Sequence, residues 1–268
     1  MGIVTEYFTK NPCYKAGREI VVKGLMLHSI GCPQPDPRVF QRLWNKESYN
    51  NACVHGFIGE DETIIALPCL VTPGKAMRGW HGGGKSNNTH IGFEMCEPGC
   101  IKYTGGANFT CSDRAAAVAY VEKVTANAVE LFAQLCAFHN LDPKVDIVSH
   151  AEGHALGIAS NHGDPDHLWA QLGMDYDMDA FRADVAARMK GGSGEVTQEQ
   201  FDKMMENWLS RREQEEPADW SKDARKWAEE NGIIYGDGSG RKMYKAFATR
   251  EHMIVFLYRL AEKLGLVK

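Results

Sequence analysis

Two histidines, each at the end of an apolar run, constrain this chain most strongly. His28 ends REIVVKGLMLH and His150 ends VDIVSH, and both runs have the β-branched, apolar character of buried strands. Asp164 follows His150 in a His-Gly-Asp-Pro turn. Two imidazoles and a carboxylate suit a hydrolytic zinc ion (Zn2+), which takes three protein ligands and keeps a fourth position open. The sequence therefore predicts that folding brings His28, His150 and Asp164 together as metal ligands.

Two further residues, Glu94 and His154, are candidates for a general base and for an alternative metal ligand. Glu94 lies in a third strand-like segment, HIGFE, and supplies the general base that metal-assisted hydrolysis needs. His154 is an alternative third ligand, because it follows His150 by four residues. Two nearby glycines disfavour a helix there, and the helical metalloprotease motif has a glutamate directly after its first histidine. Both observations disfavour His154 as a metal ligand.

The segments around His28, Glu94 and His150 resemble the zinc-dependent N-acetylmuramoyl-L-alanine amidases of the amidase-2 type. These enzymes share their fold with peptidoglycan recognition proteins. The resemblance spans about residues 20 to 188 and implies an α/β fold in which helices flank a central mixed β-sheet. It also implies zinc held by the three ligands named above and a peptidoglycan substrate, cut between N-acetylmuramic acid and L-alanine.

The resemblance assigns roles to further residues around the metal. His162, two residues before Asp164, takes the place of a Lys, Thr or His that stabilises the oxyanion, while Glu94 takes the place of the catalytic acid. Three residues are expected to contact glycan or peptide: His55, Trp80 and His81. The alternative for the two histidines is an ordinary surface position. The glycine run after His81 could form a substrate wall, since it lacks the strand and helix context of a phosphate-binding loop.

Charge and hydropathy exclude several classes of protein. The net charge of −5 argues against a nucleic-acid binder, which would show a basic face. No apolar run reaches the roughly 18 residues that a membrane-spanning helix needs, so no membrane insertion is expected. The amino-terminal segment lacks the apolar stretch of a secretory signal. The chain is therefore expected to be made in the cytoplasm without a signal peptide and to act on the bacterial wall after release, as a phage or prophage endolysin.

Other functions remain open at this point. A bacterial autolysin or a wall-recycling amidase would use the same site. A module that binds peptidoglycan without catalysis is disfavoured, because all three ligand positions and the acid carry competent residues.

The composition changes near residue 190. We expect an amidase domain over residues 1–189, a Gly/Ser linker over 190–196 and a small all-α module over 197–268. The module resembles one S-layer homology repeat, with the pattern running from Trp227 through a Gly-rich turn to a Thr-Arg-Glu helix start at Thr249. Such repeats bind secondary cell-wall polymer, usually in threes. A single repeat therefore predicts either weak wall binding or a homo-oligomer.

The eight cysteines leave two alternatives open. A disulfide between Cys100 and Cys111 would close the loop IKYTGGANFT and would suit an enzyme that acts outside the cell. Reduced cysteines in apolar positions are the other alternative.

Overall fold

The computed structural model describes residues 2–192, 202, 205–206, 209–210, 212–213, 215–236, 238 and 240–267. The chain divides into two compact units, Met1–Ser193 and Gly194–Lys268. The linker predicted over residues 190–196 lies mostly outside the described residues.

A six-stranded mixed sheet forms the centre of the first unit. Its strands, in chain order, are β1 Gly2–Thr5, β3 Gly24–Ser29, β4 Gly56–Ile58, β5 Glu62–Ile65, β7 His90–Met95 and β10 Ile147–Ser149. Their order across the sheet is β1-β5-β4-β7-β3-β10. The β4–β5 pair is the predicted antiparallel hairpin, and the other neighbouring pairs are parallel. The predicted α/β class with a central mixed sheet is confirmed.

Two small sheets and six helices complete the described part of the first unit. β2 Glu19–Val21 pairs with β6 Lys75–Met77, and β8 Ile101–Gly105 pairs with β9 Asn108–Cys111. The helices are α1 Pro12–Ala16, α2 Pro37–Trp44, α3 Arg114–His139, α4 His150–Ala155, α5 Asp166–Gln171 and α6 Met178–Gly192, and a 3-10 turn spans Lys85–Asn88.

Strand β3 is buried along its whole length, as its unbroken apolar sequence predicts for a central parallel strand. Alternate residues of a strand point to opposite faces of the sheet. Leu25 and Leu27 therefore join the core cluster that includes Phe132 of α3 and Phe181 of α6. Because His28 is out of phase with these leucines, it lies on the opposite face, away from α3.

Helices cover both faces of the central sheet. The long helix α3 begins at its predicted cap, where the side chain of Asp113 accepts a hydrogen bond from the backbone N–H of Ala116. Helix α3 packs against α6 on one face. On the other face, Phe40 of α2 stacks on Phe57 of β4, with ring centroids 4.9 Å apart. The core of the unit is thus two apolar layers separated by the sheet.

Three local predictions differ from the structure. The helix expected over 39–52 ends at Trp44, where the polar sequence NKESYNN offers no further apolar face. The loop expected after Glu94 is largely the β8–β9 hairpin. Helix α4 forms despite Gly153, because Ser149 and Glu152 make a reciprocal capping box that satisfies the first backbone N–H groups.

The second unit shows the predicted order of helix, Gly-rich turn and helix. Its described helices are α7 Lys222–Glu230 and α8 Arg250–Lys263, with a 3-10 turn at Asp219–Ser221. Thr249 caps α8 through a capping box with His252. Among the described residues of this unit only Ile233 is buried, whereas Trp220, Ile254 and Leu257 are exposed. The part of this unit that is described therefore has almost no core of its own.

All eight cysteines are free thiols, so the Cys100–Cys111 disulfide is absent. The two side chains nevertheless lie beside each other across the base of the β8–β9 hairpin.

Among the described residues, none of the helices is both long enough and apolar enough to cross a membrane.

Candidate active site

The register of the central sheet brings the histidine and glutamate candidates to one edge. His28 of β3 lies directly opposite Glu94 of β7 in a parallel pair, so their side chains share a face. Strand β10 runs beside β3 and ends at Ser149, which places His150 at the start of α4 near the same edge. The carboxyl ends of three neighbouring parallel strands thus carry His28, Glu94 and His150, as is usual for sites on α/β sheets.

The three predicted metal ligands converge. The Nδ1 atoms of His28 and His150 are 3.0 Å apart. The carboxylate oxygens of Asp164 lie 3.2 Å from Nδ1 of His28 and 3.5 Å from Nδ1 of His150. The three residues are buried, and one ligand atom from each lies within 4.8 Å of the others. Two imidazole nitrogens and a carboxylate that face one small space are a donor set suited to a divalent zinc ion.

The electrostatics of these groups fit the same interpretation. Burial lowers the pKa of His28, which keeps its imidazole neutral and its lone pair available for a metal. Burial opposes ionisation of Asp164, but the interactions of its carboxylate with the side chains of His150 and His28 outweigh burial and hold its pKa well below its usual range. The site therefore offers a neutral imidazole at His28 and an ionised carboxylate at Asp164, which are ligand forms that bind zinc.

Local structure holds each ligand in place. His150 is the first residue of α4, whose capping residue Glu152 also accepts hydrogen bonds from Arg182 of α6 at 2.9 and 3.0 Å. Asp164 receives a hydrogen bond from the backbone N–H of Ser29 at 3.4 Å, and its own carbonyl oxygen accepts one from Ala151 at 3.3 Å. These two hydrogen bonds therefore join the turn that carries Asp164 to the end of β3 and to the first turn of α4.

Glu94 lies almost buried beside these ligands, with 9% of its surface exposed. Burial, together with the nearby carboxylates of Asp164 and Glu97, raises its pKa well above the usual range. A carboxyl group whose pKa is raised toward neutrality can both accept and return a proton. This is the behaviour expected of the predicted general base.

His162 sits at the exposed rim of the same groove. Its Nδ1 lies 3.1 Å from Oγ of Ser160, and its ring lies 4.5 Å from that of His150, measured between centroids. The groove measures about 640 Å³, and its lining includes His28, Glu94, His150, His162 and Asp164. The five residues predicted to bind metal or act in catalysis thus line one groove.

His154 does not belong to this group. Helix α4 carries it away from the ligands to an exposed position, where its Nδ1 lies 3.4 Å from the carbonyl oxygen of Ala159. The structure therefore brings Asp164 to His28 and His150, and leaves the alternative ligand outside.

Two of the predicted substrate contacts do not reach the groove. His55 is fully buried, and its ring nitrogens bond the carbonyl oxygen of Met77 at 2.8 Å and the N–H of Gly92 at 3.0 Å. Trp80 packs against the apolar cluster on the helix α2 face of the sheet and does not line the groove. His55 therefore lies in the interior of the unit and Trp80 lies partly exposed outside this groove, and contact of either residue with substrate stays a prediction.

His81 does line the groove, but its ring is already engaged. Its Nδ1 lies 3.0 Å from Nε2 of His28, and its Nε2 lies 3.1 Å from the carbonyl oxygen of His90. The ring therefore faces a metal-ligand candidate, and neither of its nitrogens is left for glycan or peptide.

The opposite wall of the groove contains a network that the sequence did not reveal. The hydroxyl of Tyr103 donates to the carboxylate of Glu97 at 2.9 Å and lies 2.8 Å from Nε2 of His167. Tyr103 lies on β8 and His167 on α5, so the network ties the hairpin to the helix that follows Asp164. No pattern in the sequence connects three such separated polar residues.

Comparison with known proteins agrees with this geometry. Residues 17–167, more than half of the chain, match the Amidase_2 family, N-acetylmuramoyl-L-alanine amidase. The chain belongs to this family. It is accordingly an N-acetylmuramoyl-L-alanine amidase, an enzyme that hydrolyses peptidoglycan. No curated protein sequence matches the amidase significantly.

Solved structures share its fold. The hydrolase AmiA of Staphylococcus aureus, solved in complex with its ligand, is 20% identical, with a TM-score of 0.52 over 74% of this chain and 87% of AmiA. The catalytic domain of XlyA is 20% identical, with a TM-score of 0.48 over 69% of this chain and 99% of that domain. A mutant endolysin from Bacillus subtilis is 20% identical, with a TM-score of 0.47 over 69% and 99% of the two chains.

Proposed function

We propose that this amidase is zinc-dependent and that His28, His150 and Asp164 hold the ion. The convergence of three buried donor atoms within 4.8 Å, beside the carboxyl group of Glu94, carries this proposal. When bound, zinc supplies Lewis-acid polarisation of the scissile amide and activation of the attacking water. The remaining steps belong to side chains of the groove.

Glu94 is the proposed proton carrier. As general base it takes a proton from the attacking water, and as general acid it then passes a proton to the nitrogen of the leaving L-alanine. The raised pKa of this buried carboxyl supports the first half of that role, because a higher pKa makes the carboxylate a stronger base toward water.

His162 is the proposed donor to the oxyanion. Its position at the rim, 4.5 Å from the His150 ring between centroids, lets the imidazole approach a substrate carbonyl that lies over the metal ligands. A donor aimed at the developing negative charge stabilises the transition state more than the ground state.

The proposed substrate bond joins the lactyl group of N-acetylmuramic acid to L-alanine. Digestion of purified bacterial walls tests this proposal, because cleavage of that bond frees N-terminal alanine and leaves every glycosidic bond intact. The expected result is newly freed alanine amino termini without new reducing sugars. New reducing ends without free alanine would indicate a glycosidase and would contradict the proposal.

We further propose that the enzyme is an endolysin that acts on the bacterial wall. The second unit supports a role at the wall. It holds a groove of about 470 Å³ whose lining includes Tyr235, Tyr244, Lys242 and Arg259. Aromatic faces and cationic groups together suit a negatively charged sugar polymer, so a secondary cell-wall polymer is the proposed ligand of this unit.

The same unit is proposed to form a homo-oligomer. Its described part buries only Ile233, and it exposes large apolar side chains along α8. Modules below about 70–80 residues rarely gain enough stability from one core without staples or partners. Association with further copies would cover these side chains and would also multiply the contacts with the wall.

A further inference from the structure

The loop His81–Gly84 has no role in the reaction proposed above, yet it is held firmly in place. The side-chain oxygen of Asn87 accepts hydrogen bonds from the backbone N–H groups of His81 at 2.9 Å and Gly82 at 2.8 Å. Ser86, at the following turn, donates its N–H to the carbonyl oxygen of Ile158 at 2.9 Å. The loop therefore presents the His81 ring and the Gly82 carbonyl group in fixed positions.

The His81 ring determines which nitrogen of His28 carries a proton. A carbonyl oxygen only accepts, so Nε2 of His81, 3.1 Å from the carbonyl oxygen of His90, carries a hydrogen. In a neutral ring the Nδ1 of His81 is then an acceptor. It lies 3.0 Å from Nε2 of His28, which must therefore donate. This leaves the lone pair of His28 on Nδ1, the atom that faces His150 and Asp164.

The Gly82 carbonyl group acts on His150 through Ser160. The backbone N–H and the hydroxyl of Ser160 both donate to this carbonyl oxygen, at 2.7 and 3.2 Å. The Ser160 hydroxyl has a second acceptor, Nδ1 of His162 at 3.1 Å, and with its hydrogen on either acceptor its oxygen accepts from Nε2 of His150, at 3.1 Å. The lone pair of His150 is thus also left on Nδ1, 3.0 Å from that of His28.

Close packing explains why this loop is rich in glycine. A Cβ atom at Gly82 would lie 1.9 Å from Oγ of Ser86, and one at Gly83 would lie 2.8 Å from Oγ of Ser160. On the neighbouring strand, a Cβ atom at Gly92 would lie 2.3 Å from Nδ1 of His81. The glycines at 82 and 83 therefore leave room for the side chains of Ser86 and Ser160, and Gly92 leaves room for the His81 ring.

We propose that the His81–Gly82 segment sets the tautomers of both histidine ligands, with His81 and Ser160 as positioning residues for His28 and His150. This proposal rests on the proposed metal site. It identifies the residues that keep the Nδ1 lone pairs of His28 and His150 available to the ion. Groups that hydrogen-bond the outer nitrogen of a ligand histidine typically change metal affinity by about 10–100-fold when removed. One short loop here serves both histidines.

Zinc affinity of the full chain, measured by competition with a chromophoric chelator, tests this proposal without relying on activity. His81→Ala and Ser160→Ala are each expected to weaken zinc binding about 10–100-fold. His81→Gln, whose side-chain oxygen can still accept from His28, is expected to recover most of the loss. The control is His154→Ala, which removes an exposed histidine of the same region and should bind zinc like the parent protein.

The melting temperature of the metal-free proteins separates positioning from packing. His81 is partly buried, so His81→Ala removes packing as well as a hydrogen-bond acceptor. Ser160→Ala removes a single oxygen and keeps the test decisive. Ser160→Ala with a parental metal-free melting temperature and weakened zinc binding supports the proposal. The proposal is wrong if Ser160→Ala binds zinc as tightly as the parent protein. It is also wrong if His81→Gln folds but binds zinc as weakly as His81→Ala does.

A failure of the metal site itself gives a different result. If the parent protein binds no zinc, or if His28→Ala binds it as tightly as the parent, the ligand assignment is wrong. Tight binding by the parent, lost in His28→Ala but unchanged in Ser160→Ala, leaves the ligand assignment intact and overturns only the role of the loop.

Discussion

His28 and Glu94 stand directly opposite each other on neighbouring parallel strands, with their side chains on the sheet face away from helix α3. A shift of one residue in that pairing would turn one of the two side chains into the apolar core. The pairing therefore places a metal-ligand candidate and a general-base candidate side by side. Because the pairing fixes both positions, a small change in the side chain of His28 or Glu94 tests the role of that residue.

Glu94→Gln is expected to keep the fold and the zinc ion while losing most turnover. The amide is close in size to the carboxyl group but cannot take a proton from the attacking water. General-base catalysis typically contributes about 10²–10⁴-fold, so kcat should fall by a factor in that range. The measurement is kcat on a soluble muropeptide, with zinc content as the control. Near-parental turnover by a fully metallated variant would exclude Glu94 as the base.

Asp164→Ala and His154→Ala separate the two candidates for the third ligand. Loss of the carboxylate should abolish stable zinc binding, because it removes one of three protein donors. Loss of His154, which is exposed in α4, should leave the zinc content unchanged. Metal analysis after dialysis measures both proteins. Zinc retained by Asp164→Ala and lost from His154→Ala would reverse the assignment.

His162→Ala is expected to lower kcat by about 10²–10³-fold, the usual cost of removing one oxyanion donor. The side chain lies at the exposed rim, so the variant should fold and bind zinc normally. His162→Lys restores a donor of the kind that the family resemblance allows and should recover part of the activity. Equal loss in the Ala and Lys variants would show that donation is not what His162 contributes.

The sequence predicted the residues of this site better than their surroundings. His28, Glu94 and His150 lie at the ends of apolar strand segments, and parallel strand ends meet at one edge of a sheet, so their convergence followed from local patterns. The hydrophobic periodicity likewise predicts α3 with Ser112 or Asp113 as its cap, and the structure has Asp113.

The surroundings of His55 and of Tyr103 depend on long-range geometry, whereas helix α4 differs from the prediction for a local reason. The direction of the His55 ring follows from backbone partners at Met77 and Gly92, which no spacing in the sequence reveals. Helix α4 forms although two nearby glycines disfavour a helix, because a capping box stabilises its first turn. The network of Tyr103, Glu97 and His167 requires the β8–β9 hairpin and α5 to meet, and that contact is set by the whole fold.

Glu97→Gln is expected to change how stability depends on pH. Burial raises the pKa of Glu97 from 4.5 to about 7, so the folded chain keeps this proton over a range where the unfolded chain releases it. Stability is therefore expected to fall as pH rises from about 4.5 to about 7, by roughly 3 kcal/mol from this residue alone. The glutamine variant should lack that part of the decline. Melting curves of both proteins at pH 5 and pH 8 measure the difference, and parallel declines would contradict the prediction.

Substitutions on α8 test assembly through the second unit. Ile254 and Leu257 are 67% and 60% exposed, so changing both to glutamate should leave the interior of the unit intact. If copies associate through this helix, two buried charges per copy would separate them. Sedimentation velocity should then show an oligomer for the parent protein and a monomer for the double variant. The control Lys263→Glu adds negative charge at the end of the same helix and should remain oligomeric.

Wall binding by the same proteins tests whether assembly serves targeting. Several linked binding units hold a polymer more tightly than one, because each further contact is made at a high effective concentration. The monomeric Ile254→Glu, Leu257→Glu variant should therefore hydrolyse soluble muropeptides at the parental rate but sediment less completely with whole walls. A monomeric parent protein would refute assembly through α8. An oligomeric parent whose monomeric variant binds walls equally well would leave assembly in place and refute its role in targeting.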